Sequence, residues 1–278
     1  MKKRNLEIVV LSDVHLGTYG SHATELLEYL KSIKPKILIL NGDIIDIWQF
    51  RKSYFPKSHL KVIKKILDFT SKGTTVYYIT GNHDEMLRKF ADTKMGNFSI
   101  INKLVLEFDG KKAWFFHGDI FDNSVHQAKW IAKLGGIGYD YLILLNRFIN
   151  WALVKIGKEP YSLSKKIKAS VKKAVQFISD FETAAVDLAI DNQYDYVVCG
   201  HIHEPKLEER STKKGKTIYM NSGDWIENLT ALEYSKKRWS LYTHQKIAAV
   251  DEDKEYFEME EKLVEQLIIS NILTTSRK

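Results

Sequence analysis

Short apolar runs that end abruptly in polar residues alternate with helix-like segments over the first third of the chain. The runs Leu6–Leu11, Ile37–Leu40 and Thr75–Thr80 are typical of buried strands. Between them, His22–Ile33 and a segment from about residue 58 to 71 carry apolar residues at the three- and four-residue spacing of helices. The order β-α-β-α-β predicts right-handed crossovers and a parallel sheet.

The second of these helices is predicted to bury one apolar side and to end at Gly73, because glycine commonly follows a helix. The residues of that apolar side are Leu60, Ile63, Ile66 and Leu67.

The pattern changes after the third strand. Leu104–Phe108 and Lys112–Phe116 flank Asp109-Gly110, a pair suited to the tight turn of a β-hairpin. The chain from Phe121 to Asn192 has a helical pattern throughout. Further strands are predicted at Tyr196–Cys199, Thr217–Met220, Ala231–Tyr234 and Trp239–Thr243, and a last helix at Lys254–Ile272. The sequence therefore predicts an α/β protein in which two sheets pack together with helices outside.

Composition favours one domain over residues 1–278, with a helical insertion at about 121–192. The chain has 278 residues, 44% of them hydrophobic, and no Pro/Gly/Ser-rich linker divides it. Cys199 is the only cysteine, so no intramolecular disulfide can form. No apolar stretch reaches the roughly 18–20 residues that span a bilayer. We expect a cytoplasmic protein, with peripheral contact to the inner face of the membrane as a further possibility.

The net charge of +7 is unevenly distributed. Residues 121–180 carry ten Lys or Arg against four Asp or Glu, and residues 251–265 carry eight acids against two lysines. Solvated surface is the simplest explanation of both segments. The basic excess favours an anionic partner, which could be a phosphorylated small molecule, nucleic acid or a membrane surface.

Five polar blocks directly follow five predicted strands. They are Asp13-Val14-His15, Gly42-Asp43, Gly81-Asn82-His83-Asp84, His117-Gly118-Asp119 and Gly200-His201-Ile202-His203. Open α/β sheets place their ligands at the carboxyl ends of strands. Carboxylate, imidazole and amide ligands without a thiolate suit Mn²⁺, Fe²⁺, Zn²⁺ or Mg²⁺. An ordinary polar loop explains any one block, whereas five in this order indicate a metal site.

This ordered set resembles the calcineurin-like metallophosphoesterases, from Asp13 to about Asp224. The segment Asn221-Ser222-Gly223-Asp224-Trp225 is similar to the closing loop of that family. The resemblance implies a four-layer α/β-β/α sandwich and two divalent metal ions, with Mn²⁺ as the first choice. It implies that one ion is held by Asp13, His15, Asp43 and His203. The other is held by Asp43, Asn82, His117 and His201, so that Asp43 bridges the two ions.

Two ions about 3.5–4 Å apart bind phosphoryl oxygens and ease the deprotonation of an attacking water. His83, next to the ligand Asn82, is the candidate general acid for the leaving oxygen, because free imidazole titrates near pH 6.5. Asp84 is expected to orient the ring of His83. A merely structural histidine is the alternative. Asp46 is expected to orient a ligand or to bind a substrate hydroxyl, and Trp48 could simply pack.

The insertion has two features whose roles stay open. Gly138–Gly157 has so wide an apolar arc that it suits either a helix enclosed by other helices or a surface for acyl chains, membrane or a partner. A lysine-rich stretch follows, which is either a solvated face or a grip for a second phosphate. Its candidate substrate-binding residues are Lys165, Lys166 and Lys168.

The pattern Gly42-Asp43-x-x-Asp46-x-Trp48, together with a helical insertion, resembles the UDP-2,3-diacylglucosamine pyrophosphatases of bacterial lipid A synthesis. That resemblance implies cleavage of a UDP-linked diacyl sugar to UMP and 2,3-diacylglucosamine 1-phosphate, with the acyl chains bound by the insertion. One position departs, since that family commonly has arginine where this chain has His83. A phosphodiesterase or nuclease and a non-catalytic scaffold are the alternatives, and the complete ligand set argues against the scaffold.

Overall fold

The structure is a computed structural model that describes residues 3–47, 54–124 and 163–245. The chain divides into two compact units, Met1–His244 and Gln245–Lys278, and the description below concerns the first. Trp48, the apolar segment Gly138–Gly157 and the predicted helix Lys254–Ile272 lie outside the described residues. A single domain of 278 residues therefore stays a prediction.

The predicted strands in the described part of the chain occur in the predicted order, and three further strands, Thr93–Met95, Phe98–Ile101 and Lys206–Thr212, were not predicted. Its strands are β1 Arg4–Leu11, β2 Ile33–Asn41, β3 Thr75–Ile79, β4 Thr93–Met95, β5 Phe98–Ile101, β6 Lys103–Phe108, β7 Lys111–Phe116, β8 Tyr196–Cys199, β9 Lys206–Thr212, β10 Gly215–Asn221, β11 Thr230–Ser235 and β12 Arg238–Thr243. Its α-helices are α1 Ala23–Ser32, α2 Lys57–Ser71 and α3 Leu163–Asp191. Two 3₁₀ helices cover Glu85–Phe90 and Asp119–Ser124.

The strands form two sheets. The first has the order β12-β11-β1-β2-β3-β5-β4, and the second has the order β6-β7-β8-β10-β9. β1, β2 and β3 are parallel, as their βαβ connections predict, and β7, β8 and β10 are parallel in the second sheet. The carboxyl ends of the parallel strands in each sheet therefore lie at a common edge.

Three apolar layers hold the architecture together. Ile8 and Val10 of β1 face the second sheet and contact a core that includes Phe115, whereas Val9 and Leu11 face α1 and α2. On the far side of the second sheet, α3 packs from Phe181 onward against β7 and β8. The order helix, sheet, sheet, helix confirms the α/β fold with two packed sheets and outer helices.

The hairpin is confirmed. The predicted buried side of α2 is confirmed for Ile66 and in part for Ile63, but the other two predicted residues face solvent. Asp109 and Gly110 have φ angles of 51° and 72°, as a two-residue hairpin turn between β6 and β7 requires. Leu60 and Leu67 are 55% and 56% exposed. The buried residues of α2 are His59, Val62, Ile66 and Phe69. Nδ1 of His59 accepts a hydrogen bond from the backbone N–H of Gly17 at 2.9 Å, which holds that histidine on the buried side.

Only part of the predicted helical stretch from Phe121 to Asn192 lies within the described residues. Its first residues belong to the 3₁₀ helix Asp119–Ser124, and α3 accounts for the stretch from Leu163 to Asp191. Residues 125–162 lie outside the described part, so a helical insertion over the whole range stays a prediction. Among the helices that are described, none is long and apolar enough to cross a membrane.

Candidate metal centre

The loops after β1 and β2 run side by side and bring the first two blocks together. The backbone N–H groups of Val14 and His15 both donate to the carbonyl of Asp43, at 3.0 and 2.9 Å. Asp13, His15 and Asp43 all have φ angles between 51° and 54°, in the left-handed region. Such a backbone costs of order 1–3 kcal/mol for a residue with a side chain. The turns therefore carry strain that directs three ligand side chains to one point.

Asp43 occupies the middle of the cluster. Its Oδ1 accepts the backbone N–H of His83 at 2.8 Å. Its Oδ2 lies 3.2 Å from Nε2 of His117 and 3.9 Å from Nε2 of His15. One carboxylate therefore faces imidazoles from β1, β7 and the loop after β3, and the side chain is only 2% exposed.

His117 is held so that Nε2 points toward Asp43. Its Nδ1 lies 2.9 Å from the carbonyl oxygen of Asn41 and donates to it, because a carbonyl can only accept. This contact leaves the lone pair of Nε2 for a metal ion, the usual arrangement of a histidine ligand. The ring of His201 lies 5.1 Å from that of His117, centroid to centroid, on the same side.

Asp13 joins the end of β1 to the end of β8. Its two carboxylate oxygens accept the backbone N–H of His201 at 3.2 and 3.0 Å. Its Oδ1 lies 3.2 Å from Nε2 of His203. Nδ1 of His203 lies 3.8 Å from Oδ2 of Asp224, in the predicted closing loop. The loop after β8 is thereby fixed against the loop after β1.

The side chains form three groups, and within each group the ligand atoms lie within 4.8 Å of one another. The groups are Asp13, His15 and His203; His15, Asp43 and His83; and Asp43, His117 and His201. Asp43 belongs to two of them, as His15 does, and its Oδ2 approaches Nε2 of both His15 and His117, which belong to different predicted ion sites. All the histidine and carboxylate ligands implied by the resemblance are therefore brought together, and their binding of ions stays a prediction.

Two buried polar atoms support a metal ion at this place. Nε2 of His15 and Oδ1 of Asn82 have no hydrogen-bond partner among the described residues. Buried polar atoms in proteins are nearly always paired, so such atoms call for a ligand. A divalent cation accepts lone pairs from both atoms, and the mixed oxygen and nitrogen donors suit it. The residues present therefore fit the predicted ions.

Two glycines in the blocks provide the room for this packing. A Cβ atom at Gly42 would lie 2.2 Å from Nδ1 of His117. A Cβ atom at Gly81 would lie 2.2 Å from Oδ1 of Asp43. Either contact is far below van der Waals distance, so both positions need the close backbone approach that only glycine allows.

The buried charges of the site stabilise one another. Burial raises the pKa of the Asp43 carboxyl, but the imidazoles of His117 and His15 outweigh it and hold that pKa below its usual range. Burial lowers the pKa of His117, but the carboxylates of Asp43 and Asp13 outweigh it and raise that pKa well above its usual range. The carboxylates are thus charged and hold positive charge near them. A divalent cation can take the place of the imidazolium proton.

His83 is oriented by Asp46 and not by Asp84. Nδ1 of His83 lies 2.9 Å from Oδ2 of Asp46, and the same oxygen lies 3.1 Å from Nδ1 of His15. Of the two roles predicted for Asp46, these contacts are those of a residue that orients a ligand. Burial lowers the pKa of His83, but Asp46 and Asp43 outweigh it and raise that pKa.

The structure corrects the predicted contact of Asp84 with the ring of His83. The carboxylate of Asp84 accepts hydrogen bonds from Tyr78 Oη at 2.6 Å, from Gly81 N at 2.6 Å and from Ile44 N at 3.0 Å. The Asp84 carboxylate is fully buried. Its pKa is raised first by that burial and then by the negative charge of Asp43. Asp84 therefore ties the loop after β3 to the loop after β2 and acts on the backbone of the site.

The predicted substrate lysines cannot be placed at the site. Lys165, Lys166 and Lys168 lie on α3, whose side chains are described only from Val175 onward. Their role stays a prediction. Helix α3 reaches the site through the side chain of Phe181, whose ring centroid lies 6.2 Å from that of His201.

Three residues near the site have contacts that the sequence did not predict, although Asp224 was noted as part of the closing loop. Asp224 accepts the backbone N–H groups of residues 226–228 and faces His203. His59 supports the loop after β1 from α2. Arg88 donates from Nη2 to Asp119 and to the carbonyl of Gly81. The closing-loop pattern pointed to Asp224, whereas no local pattern marks His59 or Arg88.

Comparison with known proteins defines the class. The profile of the calcineurin-like phosphoesterase family matches residues 6–205, from β1 to the end of the last ligand block. The chain belongs to the calcineurin-like phosphoesterases and is a metal-dependent phosphoesterase.

Curated relatives cover most of the chain. It is 23% identical over 249 residues to the UDP-2,3-diacylglucosamine hydrolase of Blochmanniella pennsylvanica, which covers 84% of this chain and 93% of the relative. It is 24% identical over 245 residues to the enzyme of the same name from Aliivibrio fischeri, with 85% and 98% coverage. A dimetal phosphatase from Danio rerio has a TM-score of 0.43 and 12% identity, with 86% and 96% coverage.

Proposed function

We propose that this protein hydrolyses the pyrophosphate bond of UDP-2,3-diacylglucosamine and releases UMP and 2,3-diacylglucosamine 1-phosphate. Two divalent ions, with Mn²⁺ as the first choice, serve the reaction. The observation that carries the proposal is the position of Asp43, whose Oδ2 lies 3.9 Å from Nε2 of His15 and 3.2 Å from Nε2 of His117, one histidine from each predicted ligand set. The choice of substrate is supported by relatives named UDP-2,3-diacylglucosamine hydrolase that cover 84–85% of this chain.

The ligand residues divide between the two ions around Asp43. One ion would be held by Asp13, His15, Asp43 and His203, and the other by Asp43, Asn82, His117 and His201. When bound, the ions supply positive charge that neutralises phosphoryl oxygens and eases deprotonation of the attacking water. Nδ1 contacts at His15 and His117 keep Nε2 of each ring available as a ligand atom.

His83 supplies the proton for the leaving oxygen. Asp46 holds the ring through Nδ1 and, with Asp43, raises the pKa of His83 after burial has lowered it. The raised pKa stabilises the protonated imidazole, which is the state that a general acid needs. An arginine at this position would carry its charge permanently and could not transfer a proton in this range.

The acyl chains are assigned to the helical insertion on sequence grounds. The apolar arc within Gly138–Gly157 would contribute up to about 0.8 kcal/mol for each CH₂ group that it removes from water. Two acyl chains would then dominate affinity, while the metal centre acts on the pyrophosphate. Lys165, Lys166 and Lys168 would bind the charged headgroup.

The test compares substrates that differ only in their acyl chains. The Mn²⁺-loaded protein is assayed with UDP-2,3-diacylglucosamine of increasing acyl length, with unacylated UDP-glucosamine and with bis-p-nitrophenyl phosphate. We expect kcat/KM to rise steeply with acyl length. Replacing Leu145 and Phe148 by Ser should abolish that rise and spare the chromogenic diester. Leu60→Ser and Leu67→Ser on the exposed face of α2 are the matched controls.

Equal turnover of acylated and unacylated UDP-glucosamine would overturn the lipid substrate and leave a phosphoesterase of another specificity. The same assay includes a single-stranded oligonucleotide, because the basic segment 121–180 allows a nuclease. A nuclease would bind that oligonucleotide with an affinity that falls steeply as salt rises.

A further inference from the structure

Arg88 stands between two ligand blocks. Its Nη2 group donates to the carbonyl oxygen of Gly81 at 3.3 Å and to Oδ2 of Asp119. Gly81 precedes Asn82 and packs against Asp43, and Asp119 follows His117 by two residues. The guanidinium is therefore fixed at the rim of the metal centre.

Both of these hydrogen bonds come from one nitrogen of the Arg88 guanidinium, Nη2. Within the described residues, Nη2 alone has hydrogen-bond acceptors, so Nε and Nη1 keep their donors available. The Arg88 side chain is 39% exposed, whereas that of Asp119 is 9% exposed. Of the four arginines in the described ranges, Arg88 is the one that contacts a ligand block.

A substrate with two linked phosphoryl groups needs positive charge beyond the ion site. The ions would act on the phosphoryl group that is attacked, and the second phosphoryl group brings negative charge of its own that those ions do not neutralise. Arginine presents a planar fork of donors that matches phosphoryl oxygens in pairs. We propose that Arg88 binds the phosphoryl group that is not attacked and so selects substrates with two linked phosphoryl groups. This inference rests on the proposed pyrophosphate hydrolysis.

The test uses two inhibitors that differ by one phosphoryl group. Uridine diphosphate and uridine monophosphate are titrated against hydrolysis of bis-p-nitrophenyl phosphate by the Mn²⁺-loaded full chain. Arg88→Gln should raise the inhibition constant of uridine diphosphate by about tenfold or more, the size of one lost charge-assisted hydrogen bond. The constant for uridine monophosphate should change by less than about twofold. Lys89→Gln, which removes a neighbouring exposed charge, is the matched control.

Arg88→Lys separates binding from support of the fold. It retains a positive charge for Asp119 and should give a smaller loss for uridine diphosphate in the same direction. Equal shifts for both nucleotides, or the same shift in Lys89→Gln, would overturn the role of Arg88. The assay does not require turnover of the acylated substrate. A failure of the proposed function would therefore appear in the acyl-length series and leave this result interpretable.

Discussion

Oδ2 of Asp46 lies 2.9 Å from Nδ1 of His83, and this short contact favours the protonated form of the proposed general acid. Burial lowers the pKa of His83, whereas Asp46 and Asp43 raise it above its usual range. The carboxylate thus keeps a proton on a ring that is otherwise partly withdrawn from water.

Asp46→Asn should lower the pKa of His83, because an amide cannot stabilise the imidazolium as a carboxylate does. A general acid must be protonated, so activity falls as pH rises through its pKa. The alkaline limb of the kcat/KM profile should therefore move to lower pH in the variant. Metal content is measured in parallel, because Asp46 also contacts His15. An unmoved limb at full metal content would contradict this role of Asp46.

His83→Asn should keep both ions and slow hydrolysis by roughly 10²–10⁴-fold, the usual scale of general acid help. The loss should be small for p-nitrophenyl esters, whose leaving group departs without a proton, and large for alkyl esters. The measurement is a series of phosphodiesters ordered by the pKa of the leaving group. A uniform loss across the series would favour simple positioning by His83.

Asp43→Asn should reduce metal content and activity together. Two of the three ligand groups contain Asp43, so the loss of its charge weakens both. Elemental analysis and turnover of bis-p-nitrophenyl phosphate are the measurements, and the exposed Asp187 of α3 provides the control substitution Asp187→Asn. Unchanged metal content and turnover in Asp43→Asn would refute the bridged pair of ions.

His59 should make the fold sensitive to acid. Burial lowers the pKa of His59 from 6.5 to about 4. Between these two values the unfolded chain takes up a proton and the folded chain does not, so stability falls as pH drops from 6.5 toward 4. The full loss is roughly 3 kcal/mol. It is measured by urea unfolding at a series of pH values.

The control for His59 is a comparison of two histidine variants. His59→Gln should unfold with a smaller dependence on pH over this range, since the group that titrates has been removed. His22→Gln alters a histidine that is only partly buried and pairs with Glu25, so it should keep the dependence of the unchanged protein. Equal dependence in both variants would show that other groups cause the acid effect.

The strands and blocks could be predicted because their signals are local. Apolar runs such as those of β1 and β3 end where the ligand residues begin, and Asp109-Gly110 marks its own turn. β4, β5 and β9 were not predicted. The side chains of β4 and β9 are mostly exposed, so no apolar pattern distinguishes them from loops, and β5 has only four residues.

The misassigned contacts depend on partners distant in sequence. Sequence order suggested that Asp84 acts on its neighbour His83, but the loop turns that carboxylate toward Ile44, forty residues away. The buried position of His59 on α2 likewise involves a hydrogen bond from Gly17, which lies 42 positions earlier in the chain. Arg88 was missed for the same reason, since Asp119 lies 31 positions further along the chain.

The hydrogen bonds from the backbone of His201 to Asp13 link the two sheets of the domain at the metal centre. These residues are 188 positions apart and end strands of different sheets, yet they are hydrogen bonded at 3.0 Å. Nδ2 of Asn41 likewise reaches the carbonyl of Phe116 across the sheets at 3.0 Å. Opening the site therefore breaks hydrogen bonds between the two sheets, and a bound ion would oppose that opening. Amide protons deep in β1 and β8 should exchange together and faster once a chelator has removed the ions.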